Sequence, residues 1–281
     1  MPAERSVLIT GASTGIGRAC AVHMDGLGWR VFAGVRKDAD ARALRKEAST
    51  RLTPVRLDVT DPRSIRQTRD TVRRAVGKAG LSGLVNNAGI AYGGPVELLD
   101  LKGLRKTFDV NFFGLIEVTQ AFLPSLRAGR GRVVNMSSVS GMVASPFLSP
   151  YTTSKWALEA LSDAMRVELH PWGIEVSVVR PGAINTPIWA KGRDLGDKIL
   201  KRAPKELGEY YGPVVNRLLS GLKPHGISAE SVAAAVAHAL TAAHPRPRYN
   251  VGASVAVVEV FRRLPDRVRD WIFLRRLRRH S

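Results

Sequence analysis

The sequence predicts an α/β fold: a doubly wound parallel sheet of about seven strands, with helices on both faces, in a single domain. Three observations carry this reading. Short apolar runs bounded by turn residues recur along the chain, amphipathic stretches of helical length separate them, and the runs are apolar throughout, as strands covered on both faces are. Strands are expected near Ser6–Thr10, Arg30–Gly34, Val55–Asp58, Gly83–Asn86, Arg132–Ser137 and Glu175–Arg180, with a short last one near Tyr249–Val251. A chain of 281 residues suits one such domain with a sizeable core, and 44% hydrophobic residues read as globular.

The first strand runs into Thr10-Gly11-Ala12-Ser13-Thr14-Gly15-Ile16-Gly17, and a helical pattern follows. Glycines between a strand and a helix permit a tight turn and let backbone N–H groups approach a phosphate at the positive helix end. A glycine-rich turn without a ligand would look similar, but strand before and helix after favour phosphate binding. The spacing is Gly-x-x-x-Gly-x-Gly rather than the commoner Gly-x-Gly-x-x-Gly. After the second strand come Val35, Arg36 and Lys37; after the third, Asp58-Val59; after the fourth, Asn86-Asn87-Ala88-Gly89. Sheets of this kind bind ligands beyond the carboxyl ends of their strands, where these residues fall.

Asn111 interrupts an apolar helical stretch, where it would otherwise bend the helix or bond its own backbone. The fifth strand ends in Ser137-Ser138, and thirteen residues after Ser138 comes Tyr151, four before Lys155. On a helix, residues i and i+4 share a face, so the Lys155 ammonium can stand beside the Tyr151 phenol and draw its pKa from about 10 towards neutrality. Alone, such a pair is more often a tyrosine at a core edge with a solvated lysine. Pro181-Gly182-Ala183-Ile184-Asn185-Thr186 follows the sixth strand.

Taken in order, these motifs resemble those of the short-chain dehydrogenase/reductase family over roughly residues 5–252, most like its 17β-hydroxysteroid and retinol dehydrogenase branch. The resemblance implies a Rossmann-type fold and a reversible hydride transfer between a nicotinamide and a carbonyl or secondary alcohol. It implies that Tyr151 exchanges the proton with the substrate oxygen, Lys155 lowers the tyrosine pKa and holds the ribose, Ser138 (with Ser137 as fallback) stabilises charge on that oxygen, and Asn111 holds a relay water. It assigns dinucleotide contacts to Gly11, Ser13, Thr14, Gly15, Ile16 and Gly17, to Asp58 and Val59 at the adenine, and to Asn87, Ala88 and Gly89 beside the ribose. Tyr151, Lys155, Pro181, Gly182, Ile184 (through its backbone) and Thr186 complete the set at the nicotinamide. Asp58 could instead be a plain turn or cap residue. Where NAD-preferring relatives carry an acid, this chain has Val35, followed by Arg36, which favours NADP with NAD possible. Family members that prefer NADP often carry a basic residue in the glycine loop as well. Thr14 stands there, so the preference rests on Arg36.

Residues 1–255 are expected to form the catalytic domain, with a substrate lid at about 187–226. Its apolar residues, among them Ile188, Trp189, Ile199, Tyr210 and Tyr211, join Val143, Phe147 and Leu148 as candidate walls of a lipophilic pocket, or else pack the lid onto the core. The expected substrate is a lipophilic ketone such as a steroid or retinoid. A 3-oxoacyl substrate is the alternative within the same chemistry, and a non-catalytic dinucleotide-binding or membrane-docking module the alternative outside it. Residues 256–281 form a basic tail in which Val260, Phe261, Leu264, Val268, Trp271 and Ile272 fall at helical spacing among arginines. Such a helix suits a membrane surface, the protein body or a second subunit.

The net charge is +19, from 43 basic and 24 acidic residues. Eight of the arginines lie in 262–281, but the excess is spread along the whole chain, which reads as a solvated surface rather than a nucleic-acid groove. The single cysteine, Cys20, allows no internal disulfide, and the six histidines show no metal-ligand spacing, so no metal is expected. No apolar run approaches the ~18 residues of a membrane span. A cytoplasmic protein, peripheral at most, and a homo-oligomer are expected.

Overall fold

Seven parallel strands form one sheet in the order β3-β2-β1-β4-β5-β6-β7, in a computed structural model that describes residues 4–184, 199–220 and 226–278. The strands are β1 Ser6–Ile9, β2 Arg30–Val35, β3 Leu52–Arg56, β4 Gly83–Asn86, β5 Arg132–Met136, β6 Glu175–Pro181 and β7 Arg248–Val251. Because successive side chains point to opposite faces, β1 divides its residues between two cores. Val7 and Ile9 pack with Cys20, Ala21 and Met24 of α1 (Gly15–Gly26) and with Val232 and Val236 of α8 (Ala229–Thr241). Leu8 packs on the other face with Val72 of α3 (Pro62–Val76), Phe122 of α5 (Gly114–Gly129) and Met165 of α6 (Ser149–Glu168). The doubly wound α/β sheet expected from the strand pattern is therefore the observed fold. Cys20 sits fully in the first core, where burial pushes its thiol up to about 12.

The third strand starts three residues before its expected position and includes Pro54, which pairs with Ala33. Proline lacks the N–H a central strand needs on both sides, and β3 is an edge strand bonded only to β2. A π-helical turn, Asp109–Phe113, joins α4 (Leu101–Phe108) to α5. Gly114, just after it, lies so close to the β3–α3 connection that a Cβ would stand 2.4 Å from the Val59 carbonyl oxygen.

The helices at the end of the chain are α7 Lys205–Ser220, which belongs to the expected lid, α9 Ala253–Phe261 and α10 Asp266–Arg278; α2 is Asp38–Glu47. Phe261 and Phe273 stack edge to face, centroids 5.3 Å apart, and cover Met142, Val143 and Val255. Val143 is thus packed beneath the C-terminal helices and does not line the cavity at the strand ends. The basic tail uses part of its apolar surface on the protein body, while Val257, Val260, Val268, Trp271 and Leu274 are exposed. No helix among the described residues is long and apolar enough to cross a membrane.

Candidate active site

The glycine loop is held from below by a side chain in the fourth-strand loop. Asn87 donates from Nδ2 to the Thr10 and Gly11 carbonyls at 2.9 and 3.0 Å, and Thr10 Oγ1 accepts from the N–H groups of Asn87 and Ala88 at 3.0 and 2.9 Å. Gly11 and Gly15 take φ of +65° and +56°, which L side chains rarely adopt. Gly17 has no room for a side chain, since a Cβ would stand 2.3 Å from both Asn87 Nδ2 and the Gly11 oxygen. Asn87 therefore fastens the turn rather than only lying beside it.

A cavity of about 810 Å³ runs from this loop along the carboxyl ends of the strands. Gly11, Ser13, Thr14, Gly15, Ile16 and Gly17 line one end, then Arg36, Asp58 and Val59, then Asn87, Ala88 and Gly89. Ser138, Tyr151, Lys155, Pro181, Gly182 and Ile184 line the other. Thr186 lies outside the described residues, and the Asn111 side chain stands behind the cavity wall. The size and shape suit an elongated ligand with a phosphate at the glycine turn.

Asp58 does what a turn residue does: its Oδ1 accepts from the Thr60 N–H at 3.0 Å and from the Thr60 hydroxyl at 2.8 Å. Burial would raise its carboxyl, but these hydrogen bonds, with the Arg36 and Lys106 cations nearby, hold it below its usual value. It lines the cavity as well, so the turn and binding roles do not compete. Lys106 of α4 was not singled out in the sequence. Its only signal there is its place five residues before Asn111.

At the far end, Tyr151, Lys155 and Ser138 are all buried. Helix α6 starts at Ser149, so Tyr151 and Lys155 share its first two turns. The Lys155 Nζ donates to the Met136 carbonyl at 2.8 Å and stands 5.7 Å from the centre of the Tyr151 ring. Ser138 caps the short turn Val139–Gly141, accepting from the Ser140 N–H at 3.1 Å, and its hydroxyl hydrogen-bonds the Tyr151 phenol. Ser137 Oγ points to Gly141, at 2.8 Å from where a Cβ would be. Of the two serines, Ser138 is the one against the phenol.

The electrostatics differ from the expectation for the Tyr–Lys pair. Burial raises the Tyr151 phenol above its ordinary value, an effect that the Ser138 hydrogen bond only partly offsets. The same dry surroundings push Lys155 down to about 8, against the opposing pull of Glu159. Tyr151 is a neutral phenol near pH 7, able to give a proton.

Asn111 neither bends a regular helix nor bonds its own turn. It lies in the π turn, accepts at Oδ1 from the Ile90 N–H (2.9 Å), and donates from Nδ2 to the Ile90 carbonyl (3.0 Å) and to Ser154 Oγ (3.0 Å). Its amide clamps the wall of the cavity to α6. Tyr92, Leu98, Leu99 and Ile199 line the cavity past Tyr151, with Arg202 beside them. Phe147 and Leu148 do not line it. Phe147 adopts a left-handed φ of +63° and accepts from the Gly94 N–H at 2.7 Å. Tyr211 of α7 stacks on Phe147 and donates to Glu97 at 2.9 Å, which fastens α7 to the Val96–Leu98 turn, whereas Tyr210 is exposed. Ile188 and Trp189 lie outside the described residues.

The short chain dehydrogenase family model matches residues 5–195. The bovine 17-beta-hydroxysteroid dehydrogenase type 6 is 38% identical over 281 residues, covering 97% of this chain and 88% of that protein. The NADPH-dependent 3-dehydrocapnine reductase of Ornithobacterium rhinotracheale is 34% identical over 98% of both chains. Among solved structures, a short-chain dehydrogenase from Streptomyces avermitilis superposes with a TM-score of 0.78 at 29% identity, covering 98% of this chain and 97% of that one. With the glycine turn, the strand-end loops and the buried serine, tyrosine and lysine in the family's order, the chain belongs to the short-chain dehydrogenases and is an oxidoreductase acting on CH–OH groups.

Proposed function

We propose that the protein is an NADP-preferring reductase of a lipophilic ketone, with Tyr151, Ser138 and Lys155 as its catalytic group and Asn111 as the residue that positions the wall facing them. The observation that carries this is the burial of the Ser138 hydroxyl, the Tyr151 phenol and the Lys155 ammonium together at one end of a cavity whose other end is the glycine turn. A dinucleotide bound along that cavity would supply the hydride. The fit is supported by glycines at Gly11 and Gly17 that admit no Cβ, and by the absence of a carboxylate at Val35, where Arg36 and Lys106 offer cations to a 2′-phosphate.

The neutral Tyr151 phenol gives its proton to the substrate oxygen, and the Ser138 hydroxyl donates to the same oxygen as charge develops on it. Lys155 stabilises the phenolate left behind and would hold the ribose of a bound dinucleotide. Asn111, through its hold on Ile90 and Ser154, fixes the wall facing these groups. The raised phenol pKa keeps Tyr151 protonated near neutral pH, the state from which reduction starts. Tyr92, Leu98, Leu99 and Ile199 support an apolar substrate of the kind the bovine hydroxysteroid relative's name indicates. The test follows NADPH oxidation with steroid, retinoid and 3-oxoacyl carbonyls: Tyr151→Phe should bind NADPH yet reduce none of them, and near-normal turnover by that variant would overturn the mechanism.

A second reading concerns the tail. Exposed Val257, Val260, Val268, Trp271 and Leu274 among arginines support peripheral attachment to an anionic lipid surface. Co-sedimentation with anionic vesicles should fall in Trp271→Glu, and unchanged sedimentation would remove the reading. Exposed Phe113, Trp156 and Val167 about α5 and α6 support a homo-oligomer, which sedimentation velocity would detect.

A further inference from the structure

Several segments converge on a buried carboxylate with no part in the chemistry above. Glu159 stands one helical turn beyond Lys155 on α6, and its two oxygens accept from Arg180 Nε and Nη2 at 2.8 and 2.7 Å. Both side chains are buried, at 7% and 6% exposure, where an ion pair interacts strongly and an unpaired charge is costly. Arg180 directly precedes Pro181-Gly182 at the cavity. Arg248 of β7 approaches the same carboxylate at 3.4 Å, and Glu259 of α9 lies 3.6 Å from Arg180. On its other side the Glu159 stem packs on Gly141, whose Cβ would stand 3.1 Å from Glu159 Cγ, in the turn capped by Ser138.

We propose that Glu159 is a positioning residue of this active site: through Arg180 it ties α6 to the Pro181-Gly182 loop, and its carboxylate keeps the neighbouring Lys155 ammonium charged in a dry site. The inference rests on the reading of Lys155 as the cation beside the phenol, and adds what maintains that cation. The charged groups around the pair are Glu159 and Asp163 on α6, Arg180 on β6, Arg248 on β7 and Glu259 on α9, with the Tyr151 phenol neutral; Asp163 is itself bound by Arg248 and Arg166. Burial has already brought Lys155 to about 8, and Glu159 opposes that fall. Glu159→Gln removes the opposing charge and leaves Arg180 uncompensated, and both changes push the lysine lower. Arg180→Met removes a cation and leaves Glu159 to act alone, which pulls the lysine higher. A bridge that serves only to hold the fold gives no such opposition of sign.

The experiment titrates the ¹³Cε signal of Lys155 in the full chain without dinucleotide, the signal assigned by its loss in Lys155→Met. The midpoint should fall in Glu159→Gln and rise in Arg180→Met. A fall of one pH unit leaves about fivefold fewer charged lysines at pH 8. NADPH affinity, read by its fluorescence, should drop by about the same factor at pH 8 and hold at pH 6. Removing half of a buried pair can unfold a protein, so Glu159→Gln with Arg180→Met is the third arm. It should lie below the wild-type midpoint but above that of Glu159→Gln. Single variants that shift in the same direction, or a wild-type midpoint in the double variant, would overturn the proposal. The titration needs neither substrate nor turnover, so its failure is distinct from failure of the reductase reading.

Discussion

Replacing Lys155 by methionine should abolish turnover and at the same time change how stability depends on pH. Burial brings the ammonium from 10.5 in the unfolded chain to about 8 in the folded one. At pH 7 the lysine is protonated in both states, and at about 1.4 kcal/mol per pH unit the folded state carries a penalty of about 3 kcal/mol for it. As pH rises through 8 the folded protein gives up the proton first, the unfolded chain binds more protons, and stability rises until about 10.5. Lys155→Met has no such rise. Between pH 7 and 9 the wild type should therefore gain about 1.4 kcal/mol on the variant, or about 3–5 °C in Tm. The methionine leaves the Met136 carbonyl without its donor, at a cost of about 1–3 kcal/mol, but that term is the same at every pH and drops out of the comparison. Paired calorimetry of the two proteins at several pH values measures the difference. A difference that stays constant from pH 7 to 9 would refute the reasoning, because it would mean that the lysine keeps an ordinary pKa in the fold.

Gly17→Ala places a Cβ against the Gly11 backbone oxygen and Asn87 Nδ2, so it should lower stability by about 1–3 kcal/mol and weaken NADPH binding about tenfold or more, read by thermal denaturation and fluorescence titration. Arg36→Ala should raise the Kd for NADPH by about ten- to hundredfold and leave that for NADH unchanged; equal losses with both would remove the 2′-phosphate role. Asn111→Ala strands the Ile90 N–H and carbonyl, and should destabilise the protein by about 2–5 kcal/mol in denaturant titration.

The parts of the site that could be read in the sequence are those set by neighbours along the chain. A glycine turn between strand and helix, loops at successive strand ends and a tyrosine four residues before a lysine are local patterns, and the parallel sheet orders them along one edge. What could not be read depends on residues that meet only after folding. Glu159 and Arg180 are 21 residues apart, and nothing in either neighbourhood announces a bidentate pair. Val143 looks like a pocket wall until α9 and α10 cover it. Pro54 argues against a strand until β3 proves to lie at the edge. The Tyr151 phenol moves up rather than down because the dryness of its surroundings outweighs the Ser138 hydrogen bond, a balance that spacing alone does not contain.

The π turn at Asp109–Phe113 has a consequence for how the chain tolerates changes of length. A π turn is an α-helix carrying one extra residue, and each residue turns a helix by about 100°. Deleting Val110 would restore an unbroken α-helix through this stretch and leave Ser138, Tyr151 and Lys155 in place in the sequence. With Phe122 and Leu126 anchored in the core, the added rotation would fall on α4, swinging Lys106 away from Asp58 and Arg36. One deletion would thus regularise the secondary structure and dismantle the end of the cavity lined by Arg36 and Asp58. The irregular turn is what allows α4 and α5 to serve two different surfaces.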